Sequence, residues 1–266
     1  GQMIAGNMVD AFRWRITMWG MAGTGAALSL AVFTLVGRRA HFNEDTDPPP
    51  SMREIFHSFH IALRQSQVWL VAGGGAIASA PLFVFGSLWG IPYLMQFHAL
   101  SRPHAATLTA IMLIGWGLGA LFSGWLSDKL GRRRPLLLLG LFIAFAALMI
   151  AIYVPGVPLS AIGVLMMING LASGVVVLTY AIAGDLAPEN ARGSTFAFAN
   201  MLIILSGAIF QPFSGWLLDI NWTGNIENGA RVYDLAAYKT TFLIIPITYV
   251  VGIAMIMLSR NVEQRN

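Results

Sequence analysis

The run Gly124-Trp125-Leu126-Ser127-Asp128-Lys129-Leu130-Gly131-Arg132-Arg133-Arg134 gathers a carboxylate, two glycines and four cations between two long apolar segments. The chemistry it can do is electrostatic, not covalent. Gly131 permits a tight turn, Asp128 suits the positive end of a helix, and the arginines can pair with carboxylates. Asp185-x3-Glu189-x2-Arg192, on a later polar stretch, offers Asp185 and Glu189 as partners for Arg132 and Arg133. A solvated turn would also account for the charges, since exposed pairs contribute little. It would not account for Gly124, Asp128 and Gly131 together.

A second set of polar groups lies inside apolar runs, where each is costly unless it has a partner or faces a cavity. Asn169, Ser173 and Tyr180 share one face of a helix at regular spacing, and Asn200, Gly207 and Gln211 share one face of the next. Tyr93 and Gln96 stand near the end of an earlier run, and Trp116 lies within another. Such groups can hydrogen-bond a small polar solute, or they can bond helix to helix. Covalent catalysis is not expected, and neither is a cofactor. The chain has no Cys, no nucleophile elbow, no paired carboxylates within an apolar run and no cluster with metal-ligand spacing. His57 and His60 read as surface histidines.

These residues must be positioned by membrane-spanning helices. The chain has 266 residues, of which 56% are hydrophobic and 11% charged, against about 25% charged in a soluble protein. Apolar runs at about 16–36, 68–94, 106–126, 135–154, 159–183, 195–218 and 240–258 each approach the roughly 20 residues that a span needs. Residues 1–12 read as the last turns of a further span, joined to the next by Asp10–Arg15, with the N-terminus expected to be a truncation. The fold class is therefore all-α, a polytopic transmembrane helical bundle. Residues 37–67 form the one long hydrophilic linker. Its stretch His41–Pro50 is acidic and Pro-rich, and Ser51 with Glu54 makes a capping box for a short amphipathic helix on the membrane face.

The net charge of +4 is topogenic, because Lys and Arg sit in short loops; no nucleic-acid partner is expected. Eleven basic residues fall on one side and five on the other, accounting for all sixteen. The positive-inside rule predicts the Lys129–Arg134 loop and the C-terminus in the cytoplasm.

The segment Gly124–Arg134 closely resembles the loop signature of the major facilitator superfamily, G-x-L-(small)-D-(K/R)-x-G-(R/K)-(R/K)-(R/K). That resemblance implies a family of secondary transporters in which the signature recurs between helices 8 and 9. The order of spans then implies family helices 6 to 12 plus the end of helix 5. Residues 1–36 would belong to a truncated N-terminal bundle, 37–67 to the central cytoplasmic loop and 68–266 to the C-terminal six-helix bundle. Gly124, Asp128, Gly131, Arg132, Arg133, Asp185, Glu189 and Arg192 would form a conformational latch. Family helices 7, 8, 10 and 11 line the central cavity, which would make Tyr93, Trp116, Asn169, Ser173, Tyr180, Asn200 and Gln211 the substrate-binding candidates. The text from Leu88-Trp89-Gly90-Ile91-Pro92-Tyr93 to Ala199-Asn200 and Gln211-Pro212 is similar to proteobacterial importers of small nutrients. The implied partners are the lipid bilayer of a bacterial inner membrane, a small-molecule substrate, and a coupling proton or ion handled by the missing half. No acidic residue lies deep within a complete span, so a uniporter, a non-transporting sensor of the same fold and an inactive fragment stay open. An internal repeat fits a duplicated bundle: Gln2-x3-Gly6-x3-Asp10 recurs as Gln211-x3-Gly215-x3-Asp219.

The absence of Cys gives a clean labelling test of topology. Asn225→Cys is expected to react with an impermeant thiol reagent added from outside intact cells. Lys129→Cys should stay unlabelled until the membrane is opened. The reverse pattern would invert the topology.

Overall fold

A computed structural model describes residues 2–40, 51–227 and 229–260. The Pro-rich stretch 41–50 and the C-terminal residues, Arg265 among them, lie outside the described residues. So do the side chains of Gln2, Gly6 and Asp10, which carry the first copy of the repeat. The chain divides into two compact units, one up to Glu54 and one from Ile55 onward.

In the first unit the helix α1 runs over Gln2–Ala40. The sequence led us to expect a polar break at Asp10–Arg15. The helix continues through it because that stretch holds no Pro or Gly to stop it. The helix α2, Met52–Arg64, opens on the anticipated capping box: Ser51 Oγ accepts from the Glu54 N–H at 3.3 Å, and Glu54 Oε2 accepts from the Ser51 N–H at 2.7 Å.

Among the described residues the second unit holds six helices long and apolar enough to cross a membrane. They are α3 (Ser66–Phe97), α4 (Arg102–Leu130), α5 (Arg133–Tyr153), α6 (Leu159–Leu186), α7 (Arg192–Ile220) and α8 (Leu235–Leu258). Each end has a local cause. The α4 helix begins after Ser101 with Pro103 in its first turn and stops at Gly131, whose φ of 63° only glycine adopts freely. Pro155 and Pro158 bracket the turn into α6. Asp234 caps α8 by accepting from the Ala237 N–H at 2.7 Å. A short hairpin of β1 (Ile226–Glu227) and β2 (Ala230–Arg231) sits before α8. Below, the end carrying Lys129–Arg134 is the basic end, and the other is the hairpin end.

Lipid is as apolar as leucine, so helices in a bilayer associate through close packing more than through the hydrophobic effect. The stripe Gly115-x3-Gly119 on α4 meets Gly170 and Gly174 on α6. A Cβ at Gly119 would lie 2.0 Å from the Leu171 carbonyl oxygen, and one at Gly170 would lie 2.1 Å from that of Met112. At Gly174 it would lie 2.4 Å from the Ala120 nitrogen. The two backbones therefore touch. Gly74 on α3 and Gly252 on α8 make a second seam, with each added Cβ within 3 Å of the other residue's carbonyl oxygen (2.9 and 2.6 Å). The α3 helix is the irregular one: two π-helical stretches, Trp69–Gly73 and Leu82–Trp89, interrupt it. Pro81 and Pro92 flank the second and cannot donate to the ladder.

Gly119→Ala is expected to lower the melting temperature, with a cost of about 1–3 kcal/mol from overpacking. Gly117→Ala, on the same helix, has no heavy atom of a described residue near its added Cβ. It should be neutral, or gain up to about 1 kcal/mol in helix propensity. Equal effects of the two substitutions would show that the seam does not hold the bundle.

Candidate functional site

The signature loop folds as its residue types require. Gly131 turns the chain, and its N–H donates to the Ser127 carbonyl at 2.9 Å. The three arginines that follow then diverge. Arg133 reaches α6 and pairs with Asp185, while its other nitrogen lies 3.7 Å from Asp128. Asp128 itself is largely exposed, at 72% of its side chain. Arg134 donates to the carbonyls of Ile256 and Met257, the Ile256 bond measuring 3.1 Å, and so caps the end of α8. Arg132 is exposed. The expected pairing is thus met by Arg133 with Asp185. Among the described residues no ion pair involves Glu189, which opens a 3-10 turn, or Arg192, which starts α7. Gly124 has open space where a side chain would go.

Further contacts close the basic end. Gln67 accepts from the Arg260 N–H at 2.7 Å, tying α3 to the exit of α8. Ser58 on α2 donates to the Asn190 carbonyl at 3.0 Å, and Phe59 meets Phe198 edge-on. The Trp69 indole donates to the Leu63 carbonyl at 2.8 Å. The role of Arg134 was missed in the sequence, although its place directly before a proline at a helix start was visible.

The intramembrane candidates separate into three groups. Tyr180 on α6 donates to Asn200 Oδ1 on α7 at 3.1 Å; Tyr180 is half-buried and Asn200 exposed. Gln211 lies nearer the hairpin end, about 16 Å farther along α7 at 1.5 Å per residue. It donates to the Phe83 carbonyl in the π-helical stretch of α3 at 3.3 Å, and beside it the Trp89 indole donates to Ser214 at 2.9 Å. Asn169, Ser173 and Tyr93 are in the interior. Asn169 donates to the Ala144 carbonyl at 2.7 Å and to the Tyr249 hydroxyl at 3.2 Å, joining α5, α6 and α8. Ser173 bonds back to Gly170. Tyr93 enters an aromatic cluster with Phe85, Tyr238 and Phe242. Trp116 is half-buried on α4.

The shared face expected for Asn169, Ser173 and Tyr180 does not survive. The 3-10 turn Gly174–Val177 lies between them, and at three residues per turn it rotates Tyr180 away from the other two.

At the hairpin end the repeat's second copy works as a unit. Gln211 holds α3, and Gly215 packs beside Trp89, with room for a Cβ at 3.6 Å from the indole. Asp219 accepts from Tyr233 at 2.6 Å and pairs with Arg231 at 2.7 Å. The phenol of Tyr233 titrates above its ordinary value, first through burial and then through its bond to Asp219.

Residues 71–266, signature loop included, match the profile of the Major Facilitator Superfamily. The chain belongs to the Major Facilitator Superfamily. Among similar proteins, an uncharacterized transporter of Rickettsia felis is 25% identical over 62% of this chain and 37% of its own length. The glucose transporter GlcP of Staphylococcus epidermidis is 30% identical over 51% of this chain and 34% of its own. The galactose-proton symporter of Escherichia coli K12 is 28% identical over 43% of this chain and 24% of its own. The matched regions thus span about a quarter to a third of those relatives. A solved bacterial homolog of the human lysosomal transporter Spinster, inward-facing and unoccupied, shares the fold with a TM-score of 0.52 at 17% identity. The match covers 80% of this chain and 50% of that one. Seven apolar helices among the described residues and this superfamily membership make the protein integral to a membrane.

A double-mutant cycle separates the two contacts of Arg133. Arg133→Gln with Asp185→Asn is expected to give a coupling of about 1 kcal/mol or more, since both groups are partly buried. Arg133→Gln with Asp128→Asn should give less than about 0.5 kcal/mol, as exposed pairs do. Equal couplings in thermal melts would remove the distinction.

Proposed function

We propose that the chain contributes the C-terminal bundle, and one further span, to a secondary transporter that works by alternating access on a small polar organic solute. The single observation carrying this reading is the Tyr180–Asn200 pair. A half-buried Tyr180 and an exposed Asn200 stand on membrane spans whose exposed residues are otherwise apolar away from the ends, where exposure to lipid would be costly. Facing an aqueous path between two bundles removes that cost, and a hydroxyl and an amide offer both donors and acceptors to a solute. Two relatives are named for galactose and glucose, and sugars are solutes of this class. In this reading Tyr180 and Asn200 touch the solute, with Gln211 and Trp116 farther along the same path. Asn169, Ser173 and Tyr93 support the lining from behind by fixing helices. The latch residues bias the basic end between closed and open states. Chemistry on the solute has no part in this reading. If a proton or ion drives uptake, the carboxylate that carries it belongs to the opposite bundle, because the described spans hold acidic groups only at their ends.

Uptake of labelled galactose and glucose into liposomes, with protein carrying both bundles, tests this. Asn200→Ala and Tyr180→Phe are each expected to raise KM about two- to tenfold, the worth of one neutral hydrogen bond. Asn169→Ala should instead lower thermal stability and leave KM unchanged. Unaltered kinetics in the first two variants would reduce the pair to a packing contact. Solute binding without accumulation would favour a sensor.

A further inference from the structure

The signature loop carries a cleft that the ion pairs of Arg133 do not occupy. It is an open cavity of about 490 Å³ between the end of α4 and the start of α5, lined by Leu130, Arg132, Pro135, Leu136 and Leu139. Four of its lining residues are apolar and one is a basic residue, Arg132. Of the three consecutive arginines, Arg133 is engaged by Asp185 and Arg134 by the carbonyls of α8. Arg132 makes no hydrogen bond or ion pair with any described residue. The cleft lies where one apolar span ends and the next begins, and the polar headgroup region of a bilayer borders the ends of spans. From it an exposed apolar stripe continues along one face of α5 through Leu139, Phe142, Ile143 and Ile150. Residues 135 to 150 rise about 22 Å, the scale of one acyl chain.

We propose that this cleft is a binding site for a single anionic phospholipid, its phosphate on Arg132 and one acyl chain along Leu136, Leu139 and the α5 stripe. Guanidinium and phosphate form a charge-assisted, forked hydrogen bond, and basic pockets between membrane helices suit acidic headgroups. A free phosphate ion would gain nothing from the four apolar residues. A zwitterionic lipid would bring its own ammonium close to the guanidinium. Bound lipid would brace the junction whose next residue, Arg133, holds α6, so the site joins membrane composition to the charged end. It does not depend on what the protein carries.

The test is native mass spectrometry of the purified protein in mild detergent, with phosphatidylglycerol and phosphatidylcholine of identical acyl chains as probes. One phosphatidylglycerol is expected to be retained about tenfold more strongly than phosphatidylcholine, the factor carried by one charge-assisted hydrogen bond. Arg132→Gln should abolish that preference with helix content unchanged by circular dichroism. Arg132→Lys should restore part of it, and Arg102→Gln, an exposed arginine at the hairpin end, should leave it intact. The proposal is overturned if Arg132→Gln keeps the preference or if the wild type retains both lipids alike. Displacement of the lipid by inorganic phosphate alone would also overturn it, by assigning the cleft to a free anion.

Discussion

The contact of backbone with backbone between α4 and α6 is the constraint on which the rest depends. Gly115 and Gly119 present no side chain to Gly170 and Gly174, so the carbonyls of Met112 and Leu171 sit where a β-carbon would otherwise be. Lipid offers no hydrophobic drive for such a contact, and small residues make dispersion and carbonyl contacts available at short range. Once α4 and α6 are joined, α5 packs against α6, with Gly140 admitting Val175. Asn169 then finds the Ala144 carbonyl and Tyr249, which draws in α8. The second seam, Gly74 with Gly252, joins α8 to α3. What remains at least partly exposed on α6 and α7 includes Tyr180 and Asn200, so their placement follows from the packing behind them.

The two ends of this bundle are tied by different chemistry. At the basic end the ties are charged: Arg133 to Asp185, Arg134 to the last carbonyls of α8, and Gln67 to the chain beyond it. At the hairpin end they are aromatic, with Tyr93, Tyr238 and Phe242 in contact and Trp89 beneath Tyr233. Asp219 with Arg231 and Tyr233 adds a polar clasp there. A charged end can exchange its bonds for water as it opens, and an aromatic end loses contact area when it parts. The irregular helix α3 runs between the two ends, and its second π-helical stretch presents the Phe83 carbonyl to Gln211.

Much of the fold was legible before any coordinates. The apolar runs have the length of spans, and Gly131, Pro155 and Asp234 mark ends that any membrane helix of this sequence would respect. The pairing of Arg133 with Asp185 was readable because two carboxylates and three arginines occupied loops on the same side. The hairpin 226–231 was not, since four residues of alternating polarity carry no strand signal. The placement of the polar candidates was legible only in part. A face counted at 100° per residue holds while the helix is regular, and the 3-10 turn at Gly174–Val177 breaks that count. Nothing in the residue types Gly174-Val175-Val176-Val177 announces the change, which arises where Gly174 is pressed against α4. Likewise, Asn169 and Asn200 look alike in sequence, and only the neighbours place one inside and the other outside.

The central claim is that Asn200 and Tyr180 face a path that opens to one side of the membrane at a time. Its most direct measurement uses the Cys-free chain: Asn200→Cys in protein carrying both bundles, reconstituted in liposomes and exposed to a small impermeant thiol reagent from either side. The account predicts modification from both sides in separate experiments, and slower modification when a transported solute is present. A cysteine that stays unreactive from both sides, or one whose reaction no tested solute slows, would contradict it.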